Sequence, residues 1–249
     1  MVKVFVPTRL NSSRLPGKPL IQIAGKTLLV WCCQSISANG YTPIVLAPDM
    51  EIINFCKGQN IDVVQTGIDC LNGTERVAEA CDLLKIPDDE IVVNCQGDMF
   101  GWKDPAFLST PIEAVKADPQ IMATVYSTEF SLLDIASEDT VKVLSVKNKI
   151  SKGPRFRFTR TTTRHILPSL LGVHFGVYVA SRSKFRWYAE QVPGHREQME
   201  GLEQLRWKPS DILAIATEEY PIKIDTPEDL VKAENILLEK RYANFDDPF

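Results

Sequence analysis

Three cations, Arg9, Arg14 and Lys18, fall within ten residues of one another in the stretch Pro7-Thr8-Arg9-Leu10-Asn11-Ser12-Ser13-Arg14-Leu15-Pro16-Gly17-Lys18-Pro19-Leu20. They follow an apolar, β-branched run at 2–6, so they fall in a loop at the carboxyl edge of a sheet. There, backbone N–H groups and fixed positive charges can wrap a triphosphate. An ordinary solvated loop would mix acids with its bases. Residues 1–48 instead contain Lys3, Arg9, Arg14, Lys18 and Lys26 and no Asp or Glu. The later Gly25-Lys26-Thr27 ends like a Walker A loop, but Leu20 stands where that motif needs glycine.

Two further groups suit the same chemistry. Asn72-Gly73-Thr74-Glu75-Arg76 opens a helical pattern. Asn72, Gly73 and Thr74 there serve either as an ordinary N-cap or as polar groups reading the edge of a base. An apolar strand at 91–94 runs into Cys95-Gln96-Gly97-Asp98. A carboxylate at a strand's carboxyl end is placed to hold Mg²⁺, which takes one or two carboxylates and completes its shell with phosphate oxygens. Asp225, between a short apolar run and the helix start Thr226-Pro227-Glu228-Asp229, is its natural partner, or else a plain helix-start residue.

The elements that must position these groups follow from periodicity. Strand-like runs lie at 2–6, 44–46, 61–64, 91–94, 122–126, 141–146 and 173–179. Between the first four are helical spacings such as Leu28, Cys32 and Ile36, or Val77, Cys81 and Leu84. Alternating strand and helix predicts an α/β fold: a Rossmann-like, mostly parallel sheet with helices on both faces. The stretch 147–168 reads as a long loop, followed by helices near 182–191 and 197–207 and a last helix from Thr226. One domain over 1–249 with an elaborated second half is expected.

The bulk numbers exclude several classes. With 44% hydrophobic and 24% charged residues the 249-residue chain is neither disordered nor fibrous. It has no signal-peptide pattern and no apolar run of membrane-spanning length, which points to a cytoplasmic protein with no membrane span. Six cysteines without a CxxC pair read as reduced core thiols, and three histidines lack the spacing of a zinc site. Residues 140–189 carry eleven Lys or Arg and no acid, against a net charge of -4. Such a segregated surface fits a small polyanion rather than nucleic acid.

The loop R-x-x-S-x-R-x-P-G-K-P-L, with the N-G-T-E-R, Q-G-D and I-D-T-P-E-D-L segments, resembles the sugar-acid nucleotidylyltransferases. Its spelling is most similar to the 3-deoxy-manno-octulosonate (Kdo) cytidylyltransferases, over residues 2–240. The resemblance implies transfer of CMP from CTP to an acidic sugar with Mg²⁺, the product feeding outer-envelope polysaccharide, by a homodimer. It implies phosphate binding by Arg9, Arg14 and Lys18, with Arg9, Lys18 and Asp98 catalytic. Asn72, Gly73, Thr74 and Gln96 complete the nucleotide site, and Asp98 and Asp225 hold the metal. Segment 140–210 is similar to the family blocks that shape the acceptor pocket and dimer contacts. There Arg160 would clamp the acceptor carboxylate, with His174, Tyr178 and Gln204 around the sugar. Two stretches depart from the family: Met99-Phe100 where Glu-Pro is usual, and Thr161-Thr162-Thr163-Arg164 in the acceptor region. The acceptor therefore stands open between a Kdo-type acid, an amino-modified octulosonate and a phosphonate, and a non-catalytic nucleotide binder is the alternative of another class.

Overall fold

The computed structural model describes residues 2–12, 14–146, 155–162 and 164–243. Its strands are β1 (Lys3–Pro7), β2 (Gln22–Ile23), β3 (Lys26–Thr27), β4 (Pro43–Ala47), β5 (Asp62–Gln65), β6 (Ile91–Cys95), β7 (Met99–Phe100), β8 (Met122–Ser127), β9 (Lys142–Val146), β10 (Arg155–Thr159), β11 (Leu170–Ser181), β12 (Ile212–Thr217) and β13 (Ile222–Lys223). Its helices are α1 (Leu28–Ala38), α2 (Met50–Gly58), α3 (Gly73–Leu83), α4 (Ala106–Ala117), α5 (Leu132–Ala136), α6 (Arg182–Ala189), α7 (His195–Glu200) and α8 (Pro227–Ala243).

Nine strands form one sheet in the order β10-β9-β11-β6-β1-β4-β5, with β8 on β11 and β12 on β8. The pairs β1·β4, β1·β6, β4·β5 and β8·β12 are parallel, while β11 and β10 run against their neighbours. The sheet is therefore mixed but mostly parallel in direction, with only β10 and β11 reversed. The alternation along β1 shows why both faces are covered. Val4 and Val6 belong to one core cluster with α1, α2 and α4, whereas Phe5 belongs to another with α3 and α6.

β11 is the strand on which the two halves meet. Its first residues pair with β9 and its last with β6, and between Phe175 and Tyr178 the register against β8 shifts. Gly176 falls in that bulge. Gly172 stands where a Cβ would come within 2.0 Å of the Ser127 carbonyl oxygen, so no side chain fits there.

A third cluster ties down the edge bearing the candidate site. Leu15, Ile23, Leu28, Trp31, Phe100, Ile224 and Ala233 pack together, joining the cation loop to the β2–β3 hairpin, β7, β13 and α8. Trp31 stacks on Phe100 at 5.5 Å between centroids. Each such side chain, fully buried, contributes about 1.5–3 kcal/mol relative to exposure. Met99 and Phe100, the departure from the family spelling, thus form a short strand paired with β13.

Other expectations change. Part of the loop expected over 147–168 is strand β10 and a 3-10 turn at Arg164–Ser169; 147–154 and Thr163 lie outside the described residues. The single helix expected over 197–207 is α7, closed by Gly201 at φ 60, followed by a 3-10 turn at Glu203–Arg206. The left-handed residue ends the helix and turns the chain, so Glu203 and Gln204 point into the molecule. Ala24 and Gly25, both at positive φ, make the turn of the β2–β3 hairpin, which accounts for Gly25-Lys26-Thr27 without a phosphate loop. Five of the six cysteines are buried and all are free.

Candidate functional site

The cation loop leaves β1 at its carboxyl end and turns at Gly17, whose φ of 69 precedes a 3-10 turn holding Lys18 and Pro19. This turn aims the half-buried Lys18 ammonium at two carboxylates, Asp98 Oδ2 at 3.2 Å and Asp225 Oδ1 at 3.0 Å. A pair of residues 127 positions apart is brought onto one ammonium by the β7–β13 ribbon. There Lys223 lies opposite Met99, and the Ile224 N–H donates to the Asp98 carbonyl at 2.8 Å.

Arg14 donates to Asp225 at 3.0 Å and also pairs with Asp139, and Lys223 Nζ lies 2.6 Å from Asp225 Oδ2. Burial disfavours the charge of Asp225, but Lys223, Lys18 and Arg14 outweigh it and hold the carboxyl well below the ordinary range. Burial likewise works against the Lys18 charge, yet Asp98 and Asp225 raise its pKa above the ordinary value. Both groups stay ionised together. Asp98 Oδ1 is buried without a hydrogen-bond partner among the described residues. A buried anionic oxygen lacking a donor is costly, and with Asp225 beside the same ammonium it suits a hard divalent cation. No cluster of three or more His, Cys, Asp or Glu with metal-holding geometry occurs among the described residues, so such a cation would rely on ligand oxygens for the rest of its shell.

These groups line a cavity of about 300 Å³ with Arg9, Asn72, Gly73, Gln96 and Arg76. Arg9 is exposed and has no hydrogen-bond or ion-pair partner among the described residues. The buried Arg76 is held by Thr66 Oγ1 at 2.5 Å and the Gly67 carbonyl at 2.9 Å, a fixed positive charge in the wall. In the sequence nothing around Arg76 marks it as more than the fifth residue of N-G-T-E-R. Gly73 lets α3 approach β1, since a Cβ there would stand 3.0 Å from Pro7 Cγ.

Asn72 behaves as an N-cap: its Oδ1 accepts from the Glu75 N–H at 2.9 Å, while its Nδ2 donates to the Tyr188 hydroxyl at 3.1 Å. Thr74 lies apart from the other residues expected at the nucleotide. It is fully buried and lines neither cavity; its N–H donates to Glu203 Oε2 at 2.9 Å and its Oγ1 accepts from Asn94. Facing inward from the first turn of α3, it ties that turn to Glu203 and Asn94.

A second cavity, of about 640 Å³, shares Arg9, Arg14, Asn72, Gly73, Gln96, Asp98 and Asp225 with the first and extends to Arg160, His174, Tyr178 and Gln204. The two are one continuous cleft. Arg160 is held by the Glu138 and Asp139 carbonyls through Nη1 and by the Glu200 carbonyl through Nε, leaving Nη2 without a partner among the described residues. His174 lies against Phe158 and Tyr178, and its Nε2 is 2.8 Å from Thr124 Oγ1. Thr124 donates its own proton to the Val177 carbonyl at 2.6 Å, so it accepts from His174 Nε2–H and leaves Nδ1 as the acceptor. Burial, helped by Lys223, pulls the His174 pKa down to about 3, so the ring is neutral. The Tyr178 hydroxyl donates to Gln204 Oε1 at 3.2 Å, and Gln204 Nε2 is a buried donor with no partner among the described residues. An acidic, hydroxylated ligand would meet here one open guanidinium nitrogen, one imidazole acceptor and one free amide donor.

A profile of the family described as Cytidylyltransferase matches residues 4–207. The 3-deoxy-manno-octulosonate cytidylyltransferase of Herminiimonas arsenicoxydans is 31% identical over 92% of this chain and 96% of its own length. That of Histophilus somni (strain 129Pt) is 32% identical over 94% and 97%. A solved structure of CMP:2-keto-3-deoxy-manno-octonic acid synthetase complexed with CTP superposes with a TM-score of 0.76 at 26% identity, covering 96% of this chain and 99% of the other.

Proposed function

The chain belongs to the family of 3-deoxy-manno-octulosonate cytidylyltransferases, and from that premise we propose that it transfers CMP from CTP to an acidic sugar of the 3-deoxy-manno-octulosonate type, releasing pyrophosphate, with Mg²⁺. The observation that carries this reading is one ammonium, Lys18, touching both Asp98 and Asp225 in a cleft that runs on to Arg160, His174 and Gln204.

The triphosphate lies along Arg9, Arg14 and Lys18, taking Arg14 from Asp139 and Lys18 from its two carboxylates. Asn72 and Gly73 line the nucleotide side, and Gln96 stands between it and the acceptor side. Asp98 and Asp225 would hold the Mg²⁺, which when bound would supply neutralisation of the phosphate charge. At the other end, Arg160 Nη2 takes the acceptor's carboxylate, while His174 Nδ1 and Gln204 Nε2 orient its hydroxyls beside Tyr178. The acceptor's hydroxyl oxygen bonds to the α-phosphorus as the bond from that phosphorus to the bridging oxygen breaks. Pyrophosphate departs with its electron pair, and the hydroxyl proton leaves toward the Asp98 carboxylate. No covalent enzyme intermediate is needed: the residues align the two oxygens and stabilise charge.

A homodimer belongs to the same proposal. Val192, 84% exposed, and Met199, 73% exposed, lie in segment 140–210 and support a contact there. Among the described residues no helix is long and apolar enough to cross a membrane, which accords with the cytoplasmic placement proposed.

The test is pyrophosphate release with each of the four nucleoside triphosphates crossed with Kdo, an amino-modified octulosonate and a phosphonate, with and without Mg²⁺. Release with CTP, Mg²⁺ and Kdo alone is expected. Release with no acceptor in the panel contradicts the reading, and sedimentation as a monomer at micromolar concentration removes the dimer.

A further inference from the structure

Glu203 is an acid in the 3-10 turn after α7, buried where an isolated carboxylate would be expensive. Both of its oxygens are occupied. Oε2 accepts the Thr74 N–H at the start of α3 at 2.9 Å, and Oε1 accepts from Gln96 Nε2. Burial raises the Glu203 pKa, while the Thr74 and Gln96 donors act in the opposite direction. With Oε2 taken by the Thr74 N–H and Oε1 accepting from Gln96 Nε2, the amide face of Gln96 turned toward Glu203 is the NH₂.

The rest of Gln96 is equally constrained. Its side chain lies over the bare α-carbon of Gly176, in the β11 bulge; a Cβ there would fall 2.4 Å from Gln96 Oε1. Gln96 Oε1 has no hydrogen-bond partner among the described residues, and Gly176 lines the acceptor side of the cleft. With the NH₂ face tied back, the oxygen is what Gln96 offers to that side.

We propose that Glu203 is a positioning residue that fixes the amide polarity of Gln96, presenting Oε1 as an acceptor to a hydroxyl or amine donor on the sugar-acid substrate. The turn that carries Glu203 also carries Gln204, whose amide oxygen accepts from Tyr178. The acceptor side and the start of α3 are therefore held by two adjacent residues. This role rests on the transfer reaction proposed above.

Replacing Glu203→Gln keeps the size of the side chain and a carbonyl for the Thr74 N–H. It turns an NH₂ toward Gln96, whose amide must then reverse and show its own NH₂ to the substrate. The expected result, for a protein with an unchanged melting temperature, is a rise in KM for the acceptor and a fall in kcat/KM of about 10- to 100-fold. KM for CTP stays as in the wild type. The double variant Glu203→Gln/Gln96→Glu restores an acceptor oxygen toward the substrate and recovers several-fold in kcat/KM over either single variant. A structural role alone would not produce that recovery in kcat/KM for the acceptor. Wild-type transfer is measured first: its absence with every acceptor removes the reaction and this role with it. Wild-type transfer accompanied by unchanged kinetics in Glu203→Gln overturns the role alone, as does loss without recovery in the double variant. Should Glu203→Gln fail to fold, the comparison of the double variant with Gln96→Glu decides in the same way.

Discussion

The two ends of the cleft are built on opposite physical terms. At the phosphate end, charges balance charges: Lys18, Arg14 and Lys223 surround Asp225, and Lys18 also reaches Asp98. At the acceptor end, beside the Arg160 guanidinium, three neutral side chains are fixed by hydrogen bonds in buried surroundings: His174 to Thr124, Tyr178 to Gln204, and Gln96 to Glu203. An anionic ligand can enter the first end by trading one set of ion pairs for another. The second end is set in advance by tautomer and amide orientation, so it selects by donor and acceptor pattern. Affinity for polyphosphate and choice of acceptor should therefore break separately.

The largest separation is expected from Asp98→Asn, which keeps the backbone link to Ile224 and removes one of the two carboxylates proposed to hold the metal. Turnover should fall on the order of 10³-fold with the fold intact by circular dichroism. Full activity in that variant would remove the metal from the account. Next comes Gly176→Ala, which pushes the Gln96 side chain away from the β11 bulge. Because the obstructing atoms are the end of a flexible side chain, the fold tolerates the change. The kcat/KM for the acceptor should nonetheless drop by about 10²-fold, with CTP affinity measured by calorimetry unaltered.

His174 sharpens the contrast through pH. Its folded pKa lies near 3 against an ordinary 6.5, so the unfolded chain binds one more proton in between. The stability from its neutral burial is complete above 6.5 and is lost as pH falls toward 3, at about 1.4 kcal/mol per pH unit. Denaturant titrations of His174→Phe between pH 4 and 6.5 should show proton uptake on unfolding reduced by about one; an unchanged slope would mean the ring is charged in the folded protein. The smallest effect belongs to Thr74→Val, which should cost about 1–2 kcal/mol of stability by orphaning the Asn94 amide and leave KM for CTP unchanged. A tenfold rise in that KM would return Thr74 to the base site.

The same contrast decides what could be read from the amino acids. Arg9, Arg14 and Lys18 were legible because an acid-free loop after a strand has few structural reasons to exist. The first four strands were legible because buried parallel strands are continuous apolar runs. The β7–β13 ribbon was not, since two-residue strands have no period, and it alone explains how Asp98 finds Asp225. Glu203 was hidden because an acid between Leu202 and Gln204 reads as the wet face of a helix, and only the turn at Gly201 carries it inward. Thr74 and Asn72 sit two residues apart at one helix start, yet only burial tells which faces the cleft. Local spelling reveals charges that meet solvent and phosphate; it conceals polar groups whose partners lie a hundred residues away.

The central claim is that two distant aspartates hold a divalent cation against a polyphosphate. A crystal grown with CTP and Mn²⁺ in place of Mg²⁺, with anomalous scattering recorded at the manganese edge, tests it directly. The account predicts one strong anomalous peak bound by the carboxylates of Asp98 and Asp225 and by phosphate oxygens, with Lys18 moved onto the triphosphate. Ordered CTP with no peak there, or with Lys18 still bridging the two carboxylates, would contradict it.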